Sequence, residues 1–170
     1  VLVDTSAEGT VTAAIEGVVA SAETTEGHAE LVLRISDAWF WSLEDPYLYT
    51  LEVTLDDRDS YTLEVGIRTI AVEGSDILLN GEPLVLRGFG KHEDTPILGR
   101  GLNLPQIVRD ADLFEWVGAN SYRTSHYPYS EEAMQIADRK GILIIDEIPA
   151  VGMQWGDSDE AVASRDAQAE

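Results

Sequence analysis

The sequence predicts an incomplete β-sandwich of the immunoglobulin type followed by an α/β region built on a parallel sheet. Three observations predict it. The first stretch, about 70 residues long, is rich in Val, Thr, Leu and Ile, with apolar residues alternating over short spans. Beyond it, apolar runs of strand length alternate with segments of helical period. The apolar share of 44% over 170 residues is that of folded chains, enough for one ordinary domain or two small ones.

In the sandwich segment, "GTVTAAIEG" and "HAELVLRIS" read as strands. Leu51, Val53 and Leu55 alternate with Glu52 and Thr54, as in a strand with one buried face. "DDRD" supplies a turn into "SYTLEVGIRTI", so residues 47–55 and 61–70 form an antiparallel hairpin. Trp39 and Trp41 are expected to anchor a core or a domain interface rather than a sugar platform, because such rings bury a large area. A complete sandwich of this type takes roughly 100 residues, so the first strands are expected to be missing.

In the second segment, "PLVLRGFG" is an apolar run broken by glycines. "NLPQIVRDADLFEWVG" starts a helix at 103–105, carries an apolar stripe at Ile107, Ala111, Phe114 and Val117, and stops at Gly118. "ANSYRTS" is again strand-like. "SEEAMQIADRKG" begins with Ser130 as a cap and Glu131 and Glu132 in the first turn, and ends at Gly141. "ILII" is a continuous apolar strand, buried on both faces as parallel strands are. The tail "GDSDEAVASRDAQAE" has little apolar content and no period. The expected domains are 1–72 for the sandwich and 73–170 for the α/β part.

Charge narrows the function classes. Asp and Glu total 32 against 11 basic residues, a net charge of −21, and Lys91 and Lys140 are the only lysines. Such a chain repels phosphate backbones and anionic lipid heads, so nucleic acid and membrane surfaces are not expected partners. Self-repulsion of this size is relieved by salt, whose screening length falls to ~3 Å near 1 M. An acidic, lysine-poor surface therefore suggests a halophilic-type protein of a saline cytosol; acidic loops and tail on an ordinary protein are the alternative. Cys is absent, which excludes disulfides and thiolate metal sites. There is no apolar run of membrane-spanning length and no signal-like start, so a cytoplasmic location is expected.

Ligand groups of a parallel α/β sheet gather at the C-terminal ends of its strands. Three polar clusters occupy such places: "KHED" (91–94), "RTSHYP" (123–128) and "DE" (146–147). Each residue also has a plain structural reading. His92 can bond a loop. Arg123 can neutralise Asp146 or Glu147. His126 can fix the turn into Tyr127-Pro128. Arg123 and His126 differ in strand parity, so they share a pocket only if the strand ends irregularly between them. Lys91 and Glu93 read as a solvated pair. Asp146 and Glu147 are adjacent and point to opposite faces, which disqualifies them as the carboxylate pair of a glycosidase, whose members stand ~5–5.5 or ~6.5–9.5 Å apart. No HExxH-like spacing supports a metal site.

"NSYRTSHYPYSEEAMQIADRKGILII" resembles the first signature of glycoside hydrolase family 2. "VGIRTIAVEGSDILLNGEPLVLRGFGKHED" is similar to that family's junction between immunoglobulin-like domain and barrel, and "WSLEDPYLYTLEV" to its last sandwich strands. "GFGKHED", "TSHYPYSEE" and "IDEIPAVG" look like its β-glucuronidase branch. The resemblance implies the first units of a (β/α)8 TIM barrel and a parent enzyme that hydrolyses terminal β-D-glucuronides with retention. It implies that His92, Arg123 and His126 bind the substrate sugar and that Asp94, Asp146 and Glu147 support them from behind. Neither catalytic carboxylate, acid/base or nucleophile, is expected in this chain, since both lie on later barrel strands in the family. The isolated chain is thus expected to be inactive, with no cofactor. Where galactosidases of the family carry magnesium ligands, the matching places here are Val151 and Met153, which cannot bind a hard cation, so no metal is expected. The full-length parent is expected to be a homo-oligomer, and an open part-barrel edge invites association. A β-galactosidase-type fragment and a non-catalytic carbohydrate-binding or scaffold module are the competing readings.

Overall fold

The computed structural model describes residues 1–149, 151–152, 156 and 158–169. They divide into two compact units, Val1–Pro83 and Leu84–Glu170.

The first unit is all β. β1 (Leu2–Asp4) pairs antiparallel with β4 (His28–Glu30), while β2 (Thr10–Ile15), β3 (Val18–Glu23), β5 (Tyr49–Leu55) and β6 (Asp59–Val65) form an antiparallel sheet of order β3-β2-β5-β6. Glu16 and Gly17 join β2 to β3 with φ values of 48° and 78°, the two positive-φ positions that a tight hairpin matching strand twist demands. Val11, Ala13 and Ile15 of β2 and Leu51 of β5 point to one side and bury against Ala29 and Leu31. The expected hairpin is present: β5 and β6 pair from Tyr49↔Val65 to Leu55↔Asp59. The stretch expected as a strand over 28–36 departs from expectation. Ladder pairing stops at Glu30, although Leu31, Leu33 and Ile35 still turn inward at every second residue.

The tryptophans separate. Trp41 is completely buried, and its backbone N–H donates to Ile67 O at 2.8 Å. A Cβ on Gly66 would lie 2.7 Å from its ring, so only glycine fits there. Trp39, expected as an anchor, is instead 60% exposed and donates its indole N–H to Asp45 Oδ2 at 2.8 Å. A further sheet of order β7-β8-β9 follows, from β7 (Ile70–Glu73), β8 (Asp76–Leu79) and β9 (Glu82–Leu84). The expected boundary at 72/73 falls inside β7, which pairs with β8 over its whole length. The chain divides only after that hairpin.

The second unit runs strand, helix, strand, helix, strand. β10 (Gly88–Lys91), β11 (Ser121–Thr124) and β12 (Leu143–Ile145) form a parallel sheet with β11 in the centre. α1 (Leu104–Trp116) opens as the sequence predicts, with the Asn103 side chain accepting from Gln106 N–H and Pro105 in the first turn. α2 (Glu131–Lys140) is capped by Ser130 and closed by Gly141 in the left-handed conformation, φ 66°. Ala111 and Phe114 of α1 pack with Ala133, Ile136 and Ala137 of α2 on Tyr122, Tyr129 and Ile142. Val117, expected in the buried stripe, caps the helix and is 56% exposed.

Two further expectations are corrected. The "ILII" strand is buried on both faces only in part: Ile142 and Ile144 face the helices and Leu143 on the other face is buried, but Ile145, at the strand end on that face, is 49% exposed. The periodless tail contains a helix, α3 (Asp159–Ala169), whose first turn is closed by Ser158 Oγ accepting from Ala161 N–H.

Candidate functional site

Because the three strands of the second unit are parallel, their C-terminal ends lie on one edge, and each delivers one of the polar clusters there. β10 ends at Lys91 and is followed by His92; β11 carries Arg123 and ends at Thr124; β12 ends at Ile145 and is followed by Asp146 and Glu147.

Register builds the centre. Gly90, Arg123 and Ile145 are opposite one another across the sheet. A Cβ on Gly90 would fall 2.9 Å from Arg123 Nη2 and 2.8 Å from Ser125 Oγ, so the missing side chain is the space the guanidinium uses. Arg123 Nη1 then donates to Glu147 Oε1 at 2.5 Å. The other oxygen of the same carboxylate, Oε2, lies 3.0 Å from His126 Nδ1. Arg123 and His126 thus meet despite opposite strand parity, since β11 ends at Thr124 between them; the Ser125–His126 peptide is cis. The hydrogen bond from His126 and the charge of Arg123 hold the Glu147 carboxyl below its ordinary value of 4.5.

Thr124 is fully buried. Its hydroxyl donates to Asp146 Oδ1 at 2.7 Å and accepts the Glu147 N–H at 2.9 Å, fixing two consecutive residues at the end of the next strand. His92 is exposed, and its ring meets that of His126 edge-on, centroids 5.4 Å apart at 78°. His126, Asp146, Glu147, Ile148 and Val151 line an open depression of about 520 Å³. The other position expected to exclude a metal, Met153, lies outside the described residues.

Of the residues singled out from sequence, the structure brings Arg123, His126, Asp146, Glu147 and His92 to this edge. Asp94 pairs with Arg100, its carboxylate 3.5 Å from Nε, and the Arg100 guanidinium lies over the Tyr127 ring at 4.6 Å. Lys91 is not a solvated partner of Glu93. Its ammonium is largely buried and lies 3.1 Å from Asp110 on α1. Glu93 also feels that ammonium, but burial dominates and pushes its carboxyl up.

Sequence reasoning passed over Thr124, Ser125, Asn120, Gly90 and Tyr129. Asn120 accepts from Arg87 N–H at 2.7 Å and donates to Val85 O at 2.9 Å, tying the approach to β10 onto β11. The Tyr129 hydroxyl donates to Lys91 O and, at 3.3 Å, to Ser125 O. Burial pushes this phenol up to about 12, so it stays a donor at neutral pH. The available signal was a run of small polar residues inside a strand expected to be buried, since such groups must find partners there.

Chemically, the edge sets nitrogen donors around one carboxylate. Both oxygens of Glu147 face a donor, Arg123 on one side and His126 on the other, and Asp146 accepts from Thr124 through Oδ1. The remaining guanidinium N–H groups, the second nitrogen of His126 and the His92 ring are left for a ligand.

Residues 2–68 match the model described as glycosyl hydrolases family 2, and residues 70–168 match glycosyl hydrolases family 2, TIM barrel domain. The chain belongs to glycoside hydrolase family 2. Residues 2–68 are the family's sandwich domain, and residues 70–168, which include the βαβαβ of the second unit, are the start of its TIM barrel, here an open sheet. Among relatives, a β-glucuronidase of Paenibacillus borealis is 48% identical over 139 residues, which is 79% of this chain and 23% of that protein. The human β-glucuronidase is 47% identical over 145 residues, 80% of this chain and 22% of that protein. A solved β-glucuronidase from Ruminococcus gnavus in complex with D-glucuronic acid superposes with a TM-score of 0.78 at 43% identity, covering 96% of this chain and 29% of that one. The family 2 chain described above therefore spans under a quarter of the length of these two curated relatives, 23% and 22%.

Proposed function

We propose that this chain forms one wall of the sugar pocket of a family 2 glycoside hydrolase whose full-length protein hydrolyses terminal β-D-glucuronides with retention. One observation carries the reading: a single carboxylate, Glu147, holds Arg123 and His126 from the neighbouring strand at the C-terminal edge of the sheet, leaving their other donors to a ligand. In this role His92, Arg123 and His126 contact the sugar. Asp146 and Glu147 orient them, and Asp94 with Arg100 shapes the adjoining loop. The relatives support it, being named β-glucuronidases at 47–48% identity. The structure that is matched by 96% of this chain carries D-glucuronic acid.

Retaining hydrolysis needs a nucleophile and an acid/base about 5–5.5 Å apart. Asp146 and Glu147 are consecutive residues, ill placed to flank a scissile bond as such a pair, and the reading assigns both catalytic carboxylates to other barrel strands of the full-length protein. The acidic, lysine-poor composition supports a saline working environment.

Titration of the chain with D-glucuronic acid, followed by calorimetry, tests the pocket. Binding is expected, with loss on Arg123→Ala; absence of binding by the unaltered chain overturns the reading. Turnover of a chromogenic glucuronide by this chain alone would refute the assignment of the carboxylates to other strands.

A further inference from the structure

Lys91 is a buried charge that the sugar pocket does not use. Only 11% of its side chain is exposed, and its ammonium lies 3.1 Å from Asp110 Oδ2. Asp110 is itself held by Gln106, whose amide donates to Oδ1 at 2.6 Å. An ion pair out of water loses solvation that its mutual attraction often only balances, and an apolar pair of similar volume stabilises a fold equally well or better. What such a pair contributes in return is a fixed position.

That position is the point where the chain leaves the sheet. Lys91 is the last residue of β10. Its carbonyl accepts the Ser125 N–H at 3.0 Å and the Tyr129 hydroxyl, and its ammonium also reaches the His92 carbonyl at 3.4 Å. The next residue, His92, presents its ring edge-on to His126 at 5.4 Å. Among the described residues no hydrogen bond or ion pair holds the His92 imidazole, so the anchored main chain fixes where its Cα–Cβ bond points and the edge-on contact with His126 orients the ring.

We propose that Lys91, through Asp110, is a positioning residue that fixes the main chain at His92 and so sets the His92 imidazole against His126. The purpose of this device rests on the sugar-pocket reading; its geometry does not.

The test replaces the pair by apolar residues, Lys91→Met together with Asp110→Leu, and follows the three imidazoles of the chain by proton NMR. His28, in the first unit, serves as the unchanged reference. The unaltered chain is expected to show a nuclear Overhauser contact between the His92 and His126 rings. The double variant is expected to keep its melting temperature and lose that contact. Retention of the contact in the folded variant overturns the proposal. So does failure of the variant to fold, which would make the pair part of the fold instead. D-glucuronic acid added to the unaltered chain separates the two readings: absence of binding removes the sugar pocket, while the ring contact still decides the role of Lys91.

Discussion

Glu147 is the residue on which the site turns, and its ionisation gives that claim a measurable form. Its carboxyl is held below 4.5 by the His126 hydrogen bond and by Arg123. A carboxyl whose pKa is lower in the folded chain than in the unfolded one adds stability above the unfolded value and loses it as pH falls through the folded value. Glu147→Gln keeps the shape without the charge. The melting temperature of the variant is expected to lie below that of the unaltered chain above pH 4.5, with the gap closing under progressive acidification. A gap independent of pH would contradict the arrangement. Part of this was legible in the residues: an Arg beside two carboxylates is a ready salt bridge, and Glu147 was one of its two possible partners. Thr124 was not legible. Its hydroxyl matters only because the register sets Arg123 opposite Ile145, which puts residue 124 beside residue 146, and register across a parallel sheet is not written locally.

At the scale of elements, the two barrel helices were readable because their ends carry chemistry of their own. Asn103 and Ser130 satisfy free N–H groups at the start, and Gly141 adopts the left-handed closure at the end. α3 escaped because a helix without an apolar stripe shows no period, although Ser158 caps it as Ser130 caps α2. The strands were found but overextended, since strand ends are decided by partners elsewhere in the chain. Residues 31–35 keep the alternation of a strand without a ladder to make them one. β10 shows the reverse dependence, of an element on one atom. A Cβ on Gly88 would stand 1.9 Å from Ser121 O, inside the hydrogen-bonded pairing of β10 with β11. Gly88→Ala is expected to cost about 3 kcal/mol or more in chemical unfolding, the upper range for overpacking. A loss of a few tenths would mean that the two strands do not approach so closely.

The whole molecule was legible in outline. A switch from two-residue alternation to strand-helix alternation marks two units, although the division falls after β9 begins rather than inside β7. Net charge is the other property of the whole. With −21 charges on 170 residues, repulsion opposes compaction, and screening relieves it. Melting measured from low salt to about 1 M KCl, where the Debye length is ~3 Å, is expected to rise steadily. Stability unaffected by removing salt would rule out the saline adaptation. The bracketed carboxylate has a consequence at this scale too. Glu147 offsets the positive charge of Arg123 where a ligand would dock, so the wall offers little net attraction to set against the anionic remainder of the chain. For a sugar that carries its own carboxylate, encounter with this face is uphill at long range in dilute buffer. Dissolved ions flatten that barrier before any contact forms.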